Sequence, residues 1–401
     1  MRAITVAVLA ALLALPARAE LPATVKIGIL NDGSGPFADA SGPGSVVAAR
    51  LASEDFMAES PGIPVEILYG DHQNKADIGA AIVRGWLDRD GVAAVADAVN
   101  SAVGLAVNGI MRDRNRAFVA TNVATSELTG KSCAPTTMQW TMDTWANGNV
   151  AARAMAGPGP EGGGDTWYFI ALDYALGAAL ERDTTDALRG LGARVLGSSR
   201  HPLGTTDFSS LLLQAQASGA KVVALASSGS DLINAVKQAH EFGLTPRQRL
   251  IGLLTQFTDV DGMGLDVAQG LIVSEAFYWN ANDATRAWSR RFAGRMGGRM
   301  PTANQAGVYS SVLAYLRAAR ATGTIEGTAI MAHLQGAPID DALFGRVTLR
   351  ADGRAVHAMH VYRVKRPDQS SGRYDYYEPV ATVPAEQAFR PLADGGCPLV
   401  K

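Results

Sequence analysis

The sequence predicts an α/β protein made of two doubly wound lobes, and three observations carry that prediction. Strand-like and helix-like segments alternate from Val25 to Ala120. The same alternation restarts after Trp145. Beyond an export signal the chain keeps 382 residues, which suits two domains at about 100–200 residues each.

The first block opens on the apolar run Val25 to Leu30, a strand. Ser45 to Phe56 follows with helical spacing, Val46, Val47, Ala49, Leu51 and Phe56 marking one side. Val65 to Tyr69 returns to strand, and Lys75 to Leu87 to helix, with Ile78, Ile82, Val83 and Trp86 on one face. Val92 to Ala96 is a strand, Ser101 to Arg114 a helix, and Ala117 to Ala120 a strand. Strands alternating with helices argue for a parallel sheet covered on both faces. In the second block, Trp145 to Ala156, Leu176 to Leu191, Phe208 to Ser218 and Asp231 to Phe242 read as helices. Trp167 to Leu172, Arg194 to Gly197, Val222 to Ala226 and Leu250 to Leu254 read as strands between them. Helices are then expected over Ala284 to Met296, Asn304 to Thr322 and Thr328 to Leu334. Two strands close the pattern, Gly345 to Arg350 and His357 to Val364, joined through the turn signal Ala351-Asp-Gly353. The tail from Pro367, with its Tyr374-Asp-Tyr-Tyr377 run, reads as surface chain.

The N-terminus bounds the compartment. Arg2, the apolar run Ile4 to Pro16 and Ala17-Arg18-Ala19 form a positive, an apolar and a small-residue region in turn, the pattern of a secretory signal cut after Ala19. That apolar run is short of the about 20 residues that span a bilayer. No cysteine near the cut offers a lipid anchor. The whole chain carries a formal charge of −2, with 36 basic and 38 acidic residues. No basic cluster is present to neutralise phosphates, so nucleic acid is not an expected partner. Cys133 and Cys397 are the two cysteines. In an oxidising compartment an even count invites a disulfide, with two buried thiols as the other reading. No CxxC or His cluster suggests a metal, and no cofactor motif is present.

Catalytic patterns are missing from the sequence: there is no GxSxG, HExxH, Walker or SxxK set. His357 and His360, three apart on an expected strand, face opposite sides and make a poor metal pair. Polar residues gather instead just beyond the first-block strands, in Asn31 to Phe37, Asp71 to Asn74, Val99 to Ser101 and Thr121 to Thr125. Ligands of open α/β sheets bind outside the carboxyl ends of strands. Ser101 is placed to cap a helix whose free N–H groups and dipole suit a carboxylate; Asn100 or Ser101 also suits a plain cap with no ligand.

Val25-Lys-Ile-Gly-Ile-Leu, Gly33-Ser-Gly-Pro-Phe, Val99-Asn-Ser-Ala, Thr125-Ser-Glu-Leu-Thr and Asp207-Phe-Ser-Ser-Leu, in that order, resemble the periplasmic solute-binding proteins of branched-chain amino acid (Leu/Ile/Val) ABC importers. The Ala351-Asp-Gly-Arg turn is similar to theirs too. The resemblance covers the mature chain. It implies a type I periplasmic-binding fold, with lobe 1 over 24–141 plus 276–340, lobe 2 over 142–275 plus 341–401, and a three-strand hinge between them. Gly130-Lys-Ser-Cys-Ala-Pro and Gln139-Trp-Thr-Met-Asp-Thr-Trp look like the subgroup tied to aromatic carboxylates.

Carried across, the family site puts Ser101 on the ligand carboxylate, with Asn122 and Ala124 beside it and Thr125 adjacent to where the family has a Thr. The family's ammonium partners, a Tyr and a Glu, align with Ser228 and about Leu254, so neither an anion nor a phenol is supplied there. A desolvated ammonium without a counter-charge is costly. The implied ligand is therefore a small carboxylate, aromatic by preference. Ser34 and Phe37 on the first lobe, and Tyr174, Ser228 and Thr255 on the second, complete the expected site. The aromatics Trp145 and Tyr278 join Phe37 as candidate walls, as do Trp140, Phe257, Phe277 and Trp279; core or hinge packing is the alternative for each. A binder of branched-chain amino acids or amides, with Asp173 as the ammonium partner, is a second reading. A periplasmic ligand sensor is a third. The expected partners are the small carboxylate and an ABC permease complex in the inner membrane. The protein is expected to act as a monomer and not as an enzyme.

Overall fold

A computed structural model describes residues 21–159, 161–244 and 248–400. The expected signal, Met1 to Ala19, lies outside the described residues. The first block forms β1 (Val25–Asn31), α1 (Gly42–Glu59), β2 (Val65–Asp71), α2 (Ala76–Gly85), β3 (Ala94–Asp97), α3 (Ser101–Asp113), β4 (Ala117–Ala120) and β5 (Thr137–Gln139). Its five strands are all parallel, in the order β2-β1-β3-β4-β5. The helix expected at Ser45 starts earlier, because Pro43 sits in its first turn, where a missing N–H costs nothing.

The second block forms α4 (Thr144–Ala156), β6 (Thr166–Leu172), α5 (Ala175–Gly190), β7 (Arg194–His201), α6 (Ser209–Ala217), β8 (Val222–Ala226), α7 (Gly229–Glu241), β9 (Arg249–Gly252), α8 (Phe257–Met263), α9 (Leu265–Ala268) and β10 (Ile272–Glu275). The chain continues as α10 (Asp283–Ala293), α11 (Ala303–Thr322), α12 (Gly327–Gln335), β11 (Ile339–Asp341), β12 (Gly345–Leu349), β13 (Ala355–Val356), β14 (Met359–Val364), β15 (Tyr377–Val383) and α13 (Ala385–Ala388). The second sheet runs β15-β14-β10-β9-β8-β6-β7. Its parallel part repeats the strand order of the first sheet, and β14 and β15 extend it antiparallel.

The tail departs from its expected surface role. β15 is an edge strand of the second sheet, and Tyr374, Tyr376 and Tyr377 are buried in that lobe's core with Tyr278 and Tyr362. Alternation of tyrosines with acids hid an apolar surface that only the neighbouring strand reveals. β5 and β10, three and four residues long, were too short to stand out by pattern.

The hinge region is held by a buried cation, Arg354, and a buried neutral imidazole, His357. Arg354 is fully buried, donates to the Thr141 carbonyl at 2.5 Å, and lies 4.5 Å over the Phe389 ring. His357 Nε2 is 2.7 Å from the same carbonyl, and burial pushes its imidazole down to about 4, so it is neutral. Trp140 is core rather than cleft: fully buried, it donates Nε1 to Ser310 Oγ at 2.8 Å. The segment beyond residue 340 does not switch at once to the second sheet. β11 to β13 form a small sheet of their own, and Arg354 bridges Gln139 of β5. The tail then returns to the first block. Cys397 is joined to Cys133 across 264 residues, and Arg390 Nη2 donates to the Ser126 carbonyl at 3.0 Å.

Candidate ligand-binding cleft

In both sheets the strand order reverses beside the first strand, between β1 and β3 and between β6 and β8. Loops at such a switch point diverge and leave a crevice at the carboxyl ends of the strands. Here the two crevices face each other. Between them lies a small cavity. Its first-lobe wall is Phe37, Ala40, Val99, Asn100, Ser101, Asn122 and Ala124, with Met142 and Asn304. Tyr174, Leu176, Ser228, Leu254 and Gln256 close it from the second lobe.

Five helices begin at this cavity. Asn100 caps α3, Tyr174 precedes α5, Ser228 precedes α7, Gln256 precedes α8, and Asn304 is in the first turn of α11. Each helix start carries partial positive charge. No Asp, Glu, Lys, Arg or His is among the lining residues. Within the lining itself, the only positive groups are thus the helix ends.

Five side-chain atoms of the lining are buried without a protein partner: Ser101 Oγ, Asn122 Oδ1, Tyr174 OH, Gln256 Oε1 and Asn304 Oδ1. A buried polar atom left unpaired costs about 1–3 kcal/mol. Five of them fall on this one cavity. Burial pushes the Tyr174 phenol well above its usual range, so it stays a neutral donor.

The helix cap resolves into two roles. Asn100 Oδ1 accepts from the Ala102 and Val103 N–H groups at 2.9 and 3.3 Å, so Asn100, not Ser101, is the cap. Ser101 becomes the first helical residue, and its hydroxyl is left free. The loop is strained: Asp97, Ala98 and Asn100 have φ of 80°, 59° and 94°. Strain of this kind persists where surrounding structure imposes it and clusters at ligand clamps. Asn100 Nδ2 donates to Asn74 Oδ1 at 3.3 Å, and Asn74 Nδ2 to Asp32 Oδ2 at 2.6 Å. Asp32 also takes the Gly35 and Phe37 N–H groups, so one carboxylate holds both the Phe37 turn and the α3 cap.

A buried carboxylate backs each wall. Asp97, behind Asn122, is pushed up to about 6 by burial, against hydrogen bonds from Asn31, Asn122 and Thr121 that lower it. Asp259, behind Gln256, is pushed up to about 7 by burial and accepts the Gln256 N–H at 2.9 Å.

Of the expected site residues, Phe37, Asn100, Ser101, Asn122, Ala124, Tyr174 and Ser228 meet at the cavity. The other five do not line it. Ser34 turns outward and donates to Asp71 Oδ2 at 3.0 Å. Thr125 is buried and caps a short turn through the Glu127 N–H. Trp145, in the first turn of α4, is half-buried outside the lining. The Thr255 hydroxyl lies over Gly252, in the space a side chain there would take. Tyr278 donates its hydroxyl to the Tyr374 carbonyl at 2.8 Å within the tyrosine cluster. Phe257 and Phe277 are likewise core, and Trp279 packs against it. Asp173, the alternative ammonium partner, is exposed and outside the lining. The expectation missed Asn304, which is about 180 residues from the other first-lobe polar groups and has no local signal beyond the Thr302 cap two residues before it. Leu176 carries no sequence mark of a site.

Two facing α/β lobes with a cavity at their paired switch points define a clamshell small-molecule-binding protein. The chain belongs to the periplasmic binding protein family, whose sequence profile matches residues 24–372. A periplasmic binding protein of Burkholderia mallei has a crystal structure that is 40% identical, with a TM-score of 0.90 over 94% of this chain and 100% of that one. An ABC-transporter solute-binding protein of Rhodopseudomonas palustris, solved with 4-hydroxybenzoate, shares the fold at 18% identity, TM-score 0.78, over 90% of this chain and 97% of that one. The "Leu/Ile/Val-binding protein homolog 6" of Brucella melitensis is 28% identical over 263 residues, 63% of this chain. That match spans 65% of the curated relative's length. The family is an extracytoplasmic one, and among the described residues no helix is long and apolar enough to cross a membrane.

Proposed function

We propose that this protein is the solute-receiving component of an ABC importer and closes on a small carboxylate with an apolar, aromatic body. One observation carries the ligand class: helix N-termini converge on a cavity whose lining holds no charged side chain. Partial positive ends favour an anion. The same ends disfavour an ammonium, which would sit desolvated with no counter-charge. Ser101 holds the carboxylate through its hydroxyl and its own N–H at the start of α3, whose dipole adds to the attraction. Phe37, Met142, Leu176 and Leu254 form apolar walls for a ring.

Closure follows from a ligand that touches both lobes. Such a ligand binds the closed state in preference and shifts the population toward it. The moving bodies in this reading are built on the two sheets, with the breaks at 141/142 and 275/276. The small sheet of β11 to β13 travels with the first body through the Gln139–Arg354 bridge. The closed surface is what the permease of the inner membrane reads. The protein works in the periplasm as a monomer, after cleavage behind Ala19.

The test is a thermal-shift series with benzoate and aliphatic acids in one arm and leucine, valine and their amides in the other. A ligand of the native state raises the melting temperature by mass action. A shift with benzoate and none with leucine supports the reading. A shift with leucine alone overturns it.

A further inference from the structure

Behind the cavity wall that joins Ser101 to Asn122 stands Asp97, a carboxylate that faces no ligand. It ends β3 and is fully buried. Its Oδ1 accepts from Asn122 Nδ2 and, at 3.4 Å, from Thr121 Oγ1. Its Oδ2 accepts from Asn31 Nδ2 at 3.1 Å. The Asn122 backbone N–H also points back into the wall, 3.5 Å from the Asp97 carbonyl. An ionised carboxylate has no proton to give. The reversed amide would set its oxygen against the Asp97 carboxylate. Asn122 is therefore held with its nitrogen to the wall, which leaves its buried, unpartnered Oδ1 as the amide atom available to the cavity that the residue lines.

We propose that Asp97 is a positioning residue which, through Asn122, selects small acids carrying a neutral hydrogen-bond donor beside the carboxylate, the class of 2-hydroxy acids. This rests on the carboxylate reading of the cavity and narrows it. β3 and β4 are neighbours paired at Asp97 and Ala120, so the loops bearing Ser101 and Asn122 leave the sheet side by side. With one ligand oxygen on the Ser101 hydroxyl, the adjoining position meets the Asn122 carbonyl oxygen. A second acceptor there is repelled, whereas a hydroxyl donates. An α-ammonium would donate too, but it brings an uncompensated charge into a lining without an acid.

The isosteric variant Asp97→Asn inverts this wall. Asn31 Nδ2 is also fixed by the Gly42 carbonyl at 2.9 Å, so it keeps an oxygen of residue 97 opposite it. The new amide nitrogen then faces Asn122, which must turn its own nitrogen to the cavity. The experiment compares mandelate with phenylacetate, which differ by one hydroxyl, in calorimetric titrations of wild type and Asp97→Asn. Wild type prefers mandelate by about five- to tenfold, the worth of one hydrogen bond; in Asp97→Asn that preference is lost or reversed. A purely structural role for Asp97 weakens both acids alike and leaves their ratio unchanged, which overturns the proposal. If Asp97→Asn does not fold, Asn122→Ala carries the test: the mandelate preference must vanish with the acceptor, and its survival overturns the proposal. Binding of neither acid to wild type overturns the carboxylate reading itself.

Discussion

Gly229 of the second lobe stands directly against Pro36 of the first: a Cβ on Gly229 would lie 2.5 Å from the Pro36 carbonyl oxygen. Their neighbours Ser228 and Phe37 line the cavity, so the lobes touch at its rim. Gly229 also has φ of +64°, which an L side chain adopts at a cost of about 1–2 kcal/mol. Both partners are fixed, Phe37 through its N–H on Asp32 and Gly229 through its backbone on Asp259. Gly229→Ala therefore props the lobes apart. We expect ligand affinity to fall by tenfold or more, about 1.4 kcal/mol, and small-angle scattering to show a more open particle with ligand present. Unchanged affinity would place closure elsewhere.

Ser101→Ala separates binding from folding. The hydroxyl is buried and unpartnered, so its removal leaves the stability of the free protein unchanged or slightly higher. Affinity for a carboxylate drops by roughly 1–3 kcal/mol, the scale of a charge-assisted hydrogen bond. Titration calorimetry beside a melting curve reads both. An intact affinity would remove Ser101 from the site.

Asp259 makes stability depend on pH. Its folded carboxyl is pushed up to about 7 by burial, against an ordinary value of 3.8. A group protonated more readily when folded stabilises the fold fully below the ordinary value, and that contribution is lost as pH rises through about 7. Glu275, also fully buried and raised by the same cause and by the Asp259 charge, keeps the surroundings neutral. Asp259→Asn retains an acceptor for the Gln256 N–H and removes the titration. Wild type should lose stability relative to the variant between pH 4 and 7, at about 1.4 kcal/mol per unit of displacement. Urea denaturation across that range gives diverging curves; parallel ones refute the assignment.

The disulfide ties the tail to the loop before β5. Replacing both cysteines, Cys133→Ser with Cys397→Ser, should cost roughly 2–5 kcal/mol in urea denaturation. It also frees Arg390 from the Ser126 carbonyl. Ser126 Oγ meets Asp183 of α5 at 2.6 Å, across to the second lobe. Ligand affinity should therefore change with the loss of the bridge, and a change in stability alone would confine the bridge to the tail.

The class of fold was legible because its elements are long and periodic. β1 and α3, for example, are read almost to the residue from apolar spacing. The facing loops were legible because the strand–helix order fixes which strand ends share an edge. Asn304 was not legible, since nothing near it in sequence distinguishes a ligand contact from an ordinary first turn. The aromatics misled for the opposite reason. Trp140 and Tyr278 look like cleft walls by composition, yet each finds a buried hydrogen-bond partner in a distant segment, Ser310 and Tyr374.

The sequence by itself determined the alternation that builds two parallel sheets and the pair of cysteines. These are local or countable properties, set by residue type and spacing. The tertiary structure alone decided which orphaned polar atoms meet. Ser101 is free because Asn100 takes the cap, and Asn122 presents an oxygen because Asp97 takes its nitrogen. Hydrogen-bond allocation in a buried wall depends on groups that are far apart in the chain and compete for the same partner, and only packing settles that competition.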